Sequence, residues 1–115
     1  MIKTHFPNSW QDKLENLGFS ELTSIQEELF EPISSGKSVL GISPTGTGKT
    51  LAYLFPCLLK LTPKKAQQLL ILAPNTELAG QIFEVCKSWA DSLGLNSQLF
   101  ISGSSQKRQI ERLKK

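Results

Sequence analysis

Three short apolar runs, each followed by a stretch of helical periodicity, constrain the fold of this chain more than any other feature. Ser38-Val39-Leu40-Gly41-Ile42, Leu69-Leu70-Ile71-Leu72 and Gln98-Leu99-Phe100-Ile101 are too short and too continuously apolar for surface helices. They read as strands, the second of them covered on both faces. Residues 49–61, 75–93 and 105–115 follow them as helices, the second with Leu78, Ile82, Val85, Cys86 and Trp89 on its apolar side. Strand and helix alternating in this way predict an α/β fold, a parallel sheet with right-handed crossovers and flanking helices. Two helices precede the first run. Residues 9–17 have Ser9 as a cap, Trp10, Leu14 and Leu17 on one face and Gly18 as a stop. Residues 24–35 have Thr23 as a cap and Ile25, Leu29 and Ile33 at helical spacing. Three strands are few for such a sheet, and the last helix reaches Lys115 without a stop signal. The chain is therefore expected to be a truncated partial domain.

Composition excludes several classes. Hydrophobic residues at 39% and charged residues at 20% argue against a disordered or fibrous chain. The net charge of +3 invites a polyanionic partner. Yet Lys107, Arg108, Arg112, Lys114 and Lys115 face one acid, Glu111, in the tail, so the residues before 107 are net acidic; a solvated helix face explains such a run most simply. The N-terminus has neither an apolar core nor a small-residue cleavage site, and LAYLFPCLL at 51–59 is too short to span a bilayer. Cys57 and Cys86 lack metal-ligand spacing and read as buried, reduced thiols of a cytoplasmic protein.

The strongest chemical signal is Gly46-Thr47-Gly48-Lys49-Thr50, set between the first apolar run and the helix that follows it. A triphosphate needs converging backbone N–H donors, a cation, and a hydroxyl to hold Mg²⁺. Glycines let the backbone curl around phosphates, and a helix starting near Lys49 adds the positive end of its dipole. Lys49 is expected to reach the β- and γ-phosphates and Thr50 to hold the metal, as in the P-loop pattern G-x-x-x-x-G-K-S/T. Ser43 stands where that pattern has its first glycine, while Gly46 supplies another flexible point. The competing reading is a glycine-rich turn with an exposed lysine; the strand before and the helix after weigh against it.

Four segments together resemble the DEAD-box RNA helicases. Gly18-Phe19-Ser20-Glu21-Leu22-Thr23-Ser24-Ile25-Gln26 resembles the family's Q motif, GFxxPTxIQ, with Leu22 in place of proline. Ser43-Pro44-Thr45-Gly46-Thr47-Gly48-Lys49-Thr50 resembles motif I, AxTGxGKT, in which a small residue other than glycine at the first position is normal. Pro74-Asn75-Thr76-Glu77-Leu78-Ala79-Gly80-Gln81 resembles motif Ia, PTRELAxQ, and Ser102-Gly103 falls where the family has a Gly-Gly pair. The resemblance covers nearly the whole chain. It implies a P-loop NTPase fold of the RecA-like type, with residues 1–36 as a Q-motif region and residues 37–115 as the first half of the ATP-binding domain.

By the same resemblance, ATP and Mg²⁺ are the cofactors and RNA is the partner. The nucleotide side comprises Phe19, Gln26, Ser43, Thr45, Gly46, Thr47, Gly48, Lys49 and Thr50. Gln26 would read the adenine edge, because its amide donates and accepts at once; an exposed helix glutamine is the plainer alternative. Thr23 has a ready role as an N-cap, and Phe19 reads as core before ligand. Phe6 and Trp10 are candidates to stack on adenine, although neither stands at the family's usual separation. On the RNA side stand Pro74, Asn75, Thr76, Glu77 and Gly103. Asn75-Thr76 replaces Thr-Arg, so the expected arginine is missing; backbone N–H groups there could bind a phosphate, and equally Asn75 and Thr76 could only cap a helix. Gly103 could approach RNA or simply make a turn.

The expected function is that of an ATP-dependent RNA helicase, in which ATP and RNA jointly favour a closed form of two RecA-like domains. The D-E-x-D carboxylates do not occur in this sequence, nor does a second domain with its arginine finger. Residues 1–115 alone are thus expected neither to hydrolyse ATP nor to unwind RNA. Two other classes stay open: another P-loop ATPase or kinase, and a non-catalytic module that holds RNA or a protein through its basic tail.

Overall fold

Helix signals in the sequence are strong, and they dominate the structure. The computed structural model describes residues 6–19, 21–44, 46, 48–65, 67–102 and 106–113. The chain divides into two units, Met1–Lys60 and Leu61–Lys115.

In the first unit, α1 spans Asn8–Asn16, α2 Ser24–Ser34 and α3 Lys49–Leu59. Ser9 does not cap α1. The helix starts earlier, with Pro7 as N-cap, because the Pro7 carbonyl already accepts from the N–H groups of Trp10 and Gln11 at 3.0 and 3.1 Å. The Gln11 amide ties this start to the Phe6 carbonyl at 2.8 Å. At the other end Gly18 takes φ 79, its N–H donates to Glu15 O and that of Phe19 to Leu14 O. This pair of bonds is a Schellman stop, and glycine serves it because a Cβ would strain the left-handed residue. Two expectations fail here. Leu17 lies beyond the last helical residue and is 53% exposed instead of joining the apolar face, and Phe19, past the reversal, is 47% exposed instead of core.

The core of this unit is aromatic. Phe6 meets Trp10 edge-on at 5.3 Å between ring centroids, Phe55 at 4.9 Å and Phe30 at 5.9 Å, and Trp10 meets Phe55 at 5.3 Å. Leu14, Leu54 and Leu58 are buried beside them. Edge-to-face and tilted pairs of this kind contribute about 0.5–1.5 kcal/mol each beyond the area they bury. With Phe6 and Trp10 fully enclosed, neither ring is available to stack on a base.

Among the described residues no strand is formed. The three apolar runs fall between helices, as expected, but none of their backbone groups takes part in the described backbone–backbone hydrogen bonds. A strand needs a hydrogen-bonded neighbour, and among the described residues these runs have none. The first run still shows strand-like alternation. A Cβ on Gly41 would come within 2.8 Å of Leu29 Cδ1, so the backbone lies flat on α2, while Leu40 and Ile42 on either side are 86% and 82% exposed.

In the second unit, α4 spans Thr76–Ala90 and runs into a 3-10 turn at Asp91–Leu93; α5 spans Gln106–Leu113. Trp89, Ala90 and Leu95 are its buried apolar residues, and Leu78, Ile82, Val85 and Cys86 are half-buried. The loop before the second apolar run carries two non-glycine residues at positive φ, Lys64 at 67 and Gln67 at 52. Each costs on the order of 1 kcal/mol or more. The Gln68 amide holds the loop: it accepts from Thr62 N–H at 2.9 Å and donates to Thr62 O at 2.8 Å and Lys65 O at 3.1 Å. Cys57 and Cys86 are free thiols, as expected, but half-buried rather than buried. Burial is the main cause raising both thiol pKa values.

Candidate nucleotide-phosphate site

The site is built where α2 meets the start of α3. Thr23 and Gln26 form a reciprocal cap on α2: Gln26 N–H donates to Thr23 Oγ1 at 3.4 Å, and Gln26 Oε1 accepts from Thr23 N–H at 3.0 Å. The other half of the same amide, Nε2, donates to the Gly48 carbonyl at 3.2 Å. Gln26 is only 7% exposed. It is thus not the exposed helix glutamine of the plainer alternative, but a buried link between a helix cap and the glycine-rich loop. One lone pair on Oε1 and one N–H on Nε2 are not used by these bonds.

Gly48 is the N-cap of α3 and is left-handed, with φ 81; Gly46 has φ 85. A Cβ built on Gly48 would collide with the Gln26 amide nitrogen, so glycine is required there by both backbone and space. Gly48 has no side chain with which to cap α3, in contrast to Thr23 on α2 and Asn75 on α4. No side chain caps α3, and its first N–H groups lie beside the exposed Lys49 and half-buried Thr50, a combination suited to an anion. Thr45 and Thr47 lie outside the described residues. Ser43 is half-buried.

A cavity of about 280 Å³ opens beside this loop, lined by Ile25, Leu29 and Ile33 of α2, Gly41, and Lys49 and Tyr53 of α3. Its lining is mostly apolar, with Lys49 bringing in the one formal charge. Among the described residues no group of three or more His, Cys, Asp or Glu could hold a metal ion. The hydroxyl of half-buried Thr50, at the start of α3, is a hard oxygen donor of the kind Mg²⁺ takes.

The residues expected to face RNA belong to the second unit. Asn75 caps α4, its Oδ1 accepting from Leu78 N–H at 2.8 Å, and Glu77 stands in the first turn, where its charge favours the helix dipole. Pro74, Asn75, Thr76 and Glu77 are all exposed, and Gly103 lies outside the described residues. Two further polar groups have no counterpart among the sequence expectations: the Gln26 contact with Gly48, and buried Gln109, which pairs with the backbone of Ile101. A T-x-x-Q spacing at 23–26 is a capping-box signal; nothing local marks Gln109.

Comparison with known proteins places these features in a family context. The DEAD/DEAH box helicase family model matches residues 23–115. The DEAD-box ATP-dependent RNA helicase CshC of Bacillus cereus is 44% identical over 106 residues, 91% of this chain and 27% of that protein. The probable ATP-dependent RNA helicase YfmL of Bacillus subtilis is 43% identical over 91% of this chain and 28% of its own length. The crystal structure of the RNA helicase Prp28 from Chaetomium thermophilum bound to ADP superposes with a TM-score of 0.76 at 30% identity, covering 91% of this chain and 27% of that one. The chain thus spans about a quarter of the length of these relatives. No helix among the described residues is long and apolar enough to cross a membrane.

Proposed function

The chain belongs to the DEAD/DEAH box helicase family, and on that premise we propose that it is the nucleotide-binding part of an ATP-dependent RNA helicase acting in the cytoplasm. Residues 1–36 serve as the Q-motif region and residues 37–115 as the start of a RecA-like P-loop domain, in which the three apolar runs belong to a parallel sheet. The observation that carries the reading is the bond from buried Gln26 to the carbonyl of left-handed Gly48, at the uncapped start of α3.

In this reading the N–H groups from Gly46 to Thr50 cradle the phosphates of ATP, with Ser43, Thr45 and Thr47 completing the loop. Lys49 neutralises charge on the outer phosphates and Thr50 holds Mg²⁺, which supplies electrostatic stabilisation of the phosphoryl group when bound. Gln26 turns its remaining lone pair and N–H to the adenine edge, and exposed Phe19 contributes apolar surface to the nucleotide side. Exposed Pro74, Asn75, Thr76 and Glu77 contribute to the RNA side through the backbone at the start of α4, with Gly103 nearby in sequence to the third run. Reading the base through the amide that also holds the Gly48 carbonyl couples adenine recognition to loop geometry.

Calorimetric titration of the chain with Mg-ADP and, in parallel, Mg-GDP tests this. Binding of ADP in clear preference to GDP, lost in Lys49→Ala, is the expected result. Equal binding of both would leave the phosphate cradle and remove the adenine reader. Absence of binding to either would overturn the site.

A further inference from the structure

Tyr53 is the one residue of its turn of α3 that lines the cavity beside the glycine-rich loop. Ala52, Leu54 and Phe55 around it are buried, whereas Tyr53 itself is half-buried. Lys49 stands four residues earlier in the same helix, is exposed, and lines the same cavity of about 280 Å³. The aliphatic side chains of Ile25, Leu29, Ile33 and Val39 supply most of the remaining wall.

Two residues four apart on a helix lie one above the other, with Cβ atoms about 5–6 Å apart. Side chains on a helix also lean toward its N-terminus, so each covers the turn before its own Cα. The turn that Tyr53 covers is the one that carries Lys49. A lysine lays its methylenes along apolar surface wherever that is offered and keeps its ammonium in water. Here the aliphatic cavity offers such surface on the side away from the loop. Among the described residues Lys49 has no ion-pair partner to hold its ammonium in one direction. An aromatic ring at 53 occupies the ground across which the stem would otherwise fall, and its face attracts a cation.

We propose that Tyr53 is a positioning residue for Lys49. Its ring supports the lysine stem and keeps the ammonium at the rim of the cavity, beside the uncapped first N–H groups of α3. The inference rests on the phosphate-site reading and deepens it. Tyr53 touches no phosphate and acts only through Lys49; the ring carries the role and the hydroxyl does not. Ordering the lysine before the ligand arrives removes a cost that would otherwise fall on binding, worth roughly two- to twelvefold in affinity for one long side chain.

Two measurements on the intact chain test this. The first needs no nucleotide: a ¹H–¹³C spectrum of the lysine ε-methylenes, with the Lys49 signal assigned by its loss in Lys49→Ala. Ring current should displace that signal from its position in the urea-unfolded chain. Tyr53→Phe should keep the displacement and Tyr53→Leu abolish it. The second is calorimetry with Mg-ADP and with AMP, which lacks the phosphate Lys49 would reach. Tyr53→Leu should weaken Mg-ADP roughly two- to twelvefold and leave AMP unchanged, and Tyr53→Phe should restore wild-type affinity. Equal weakening of both ligands would show a merely structural role and overturn the proposal. Should Tyr53→Leu fail to fold, the wild-type spectrum decides, since an undisplaced Lys49 signal in a chain that binds Mg-ADP overturns the positioning role alone. Failure of the wild-type chain to bind Mg-ADP overturns the phosphate site and this role with it.

Discussion

Replacing Gly48 by alanine tests the geometry of the glycine-rich loop most directly. The residue sits at φ 81, where an L side chain costs about 1–2 kcal/mol. The added Cβ would also run into the Gln26 amide, with Gln26 Cδ at 3.3 Å, so that amide must swing away and release its bond to the Gly48 carbonyl. A hydrogen bond of this kind contributes about 0.5–1.5 kcal/mol net. Gly48→Ala should therefore destabilise by about 1.5–3.5 kcal/mol. In a Gln26→Ala background there is no amide to displace, and the same change should cost only the backbone strain, about 1–2 kcal/mol. Urea unfolding followed by the emission of buried Trp10 and Trp89 measures all four corners of this cycle. An equal cost in both backgrounds, or a cost near zero in the wild type, would refute the contact between Gln26 and the loop.

Other outcomes follow from the same structure. Trp10→Ala empties the centre of the aromatic cluster and should cost about 3–5 kcal/mol by the same unfolding measurement, with loss of the folded state the extreme case. Burial favours the protonated thiols of Cys57 and Cys86, so their folded pKa values lie above the ordinary value of 9.0. The stability this contributes is complete below that value and is lost as pH rises through it, so the melting temperature should fall above about pH 9, and less so in Cys57→Ala, Cys86→Ala. A phosphate-release assay on the chain alone should show no RNA-stimulated turnover, since no D-E-x-D carboxylates occur in it; robust turnover would show that the chemistry needs none of them.

Much of the helical framework was legible because helix signals are local. Thr23, Gly18 and the spacing of Ile25, Leu29 and Ile33 mark where helices start, stop and face without reference to anything distant. Glycines 46 and 48 before Lys49 were legible for the same reason, since left-handed backbone is a property of the residue itself. Leu17 leaves the apolar face because it is already the C-cap, and Phe19 leaves the core because the Gly18 reversal turns the chain outward before it. The apolar runs announce strands but not their partners, which are tertiary facts. Gln109 escaped notice because a glutamine eight residues beyond Ile101 carries no sign that a turn will bring the two together.

Gln26, Gln68 and Gln109 share one device, an uncharged amide clasping backbone that no ladder pairs. Neutral clasps do not loosen as ionic strength rises, unlike the exposed Lys87–Asp91 pair at 3.2 Å. Nor do they compete with phosphates for cations, so a polyanion can come and go without unfastening the scaffold. Their vulnerability is chemical rather than ionic. Conversion of any one of them to glutamate, by a single-nucleotide change or by deamidation, would preserve shape, delete the donor and place a carboxylate against a backbone carbonyl. At these three positions the most conservative-looking substitution would be more disruptive than truncation.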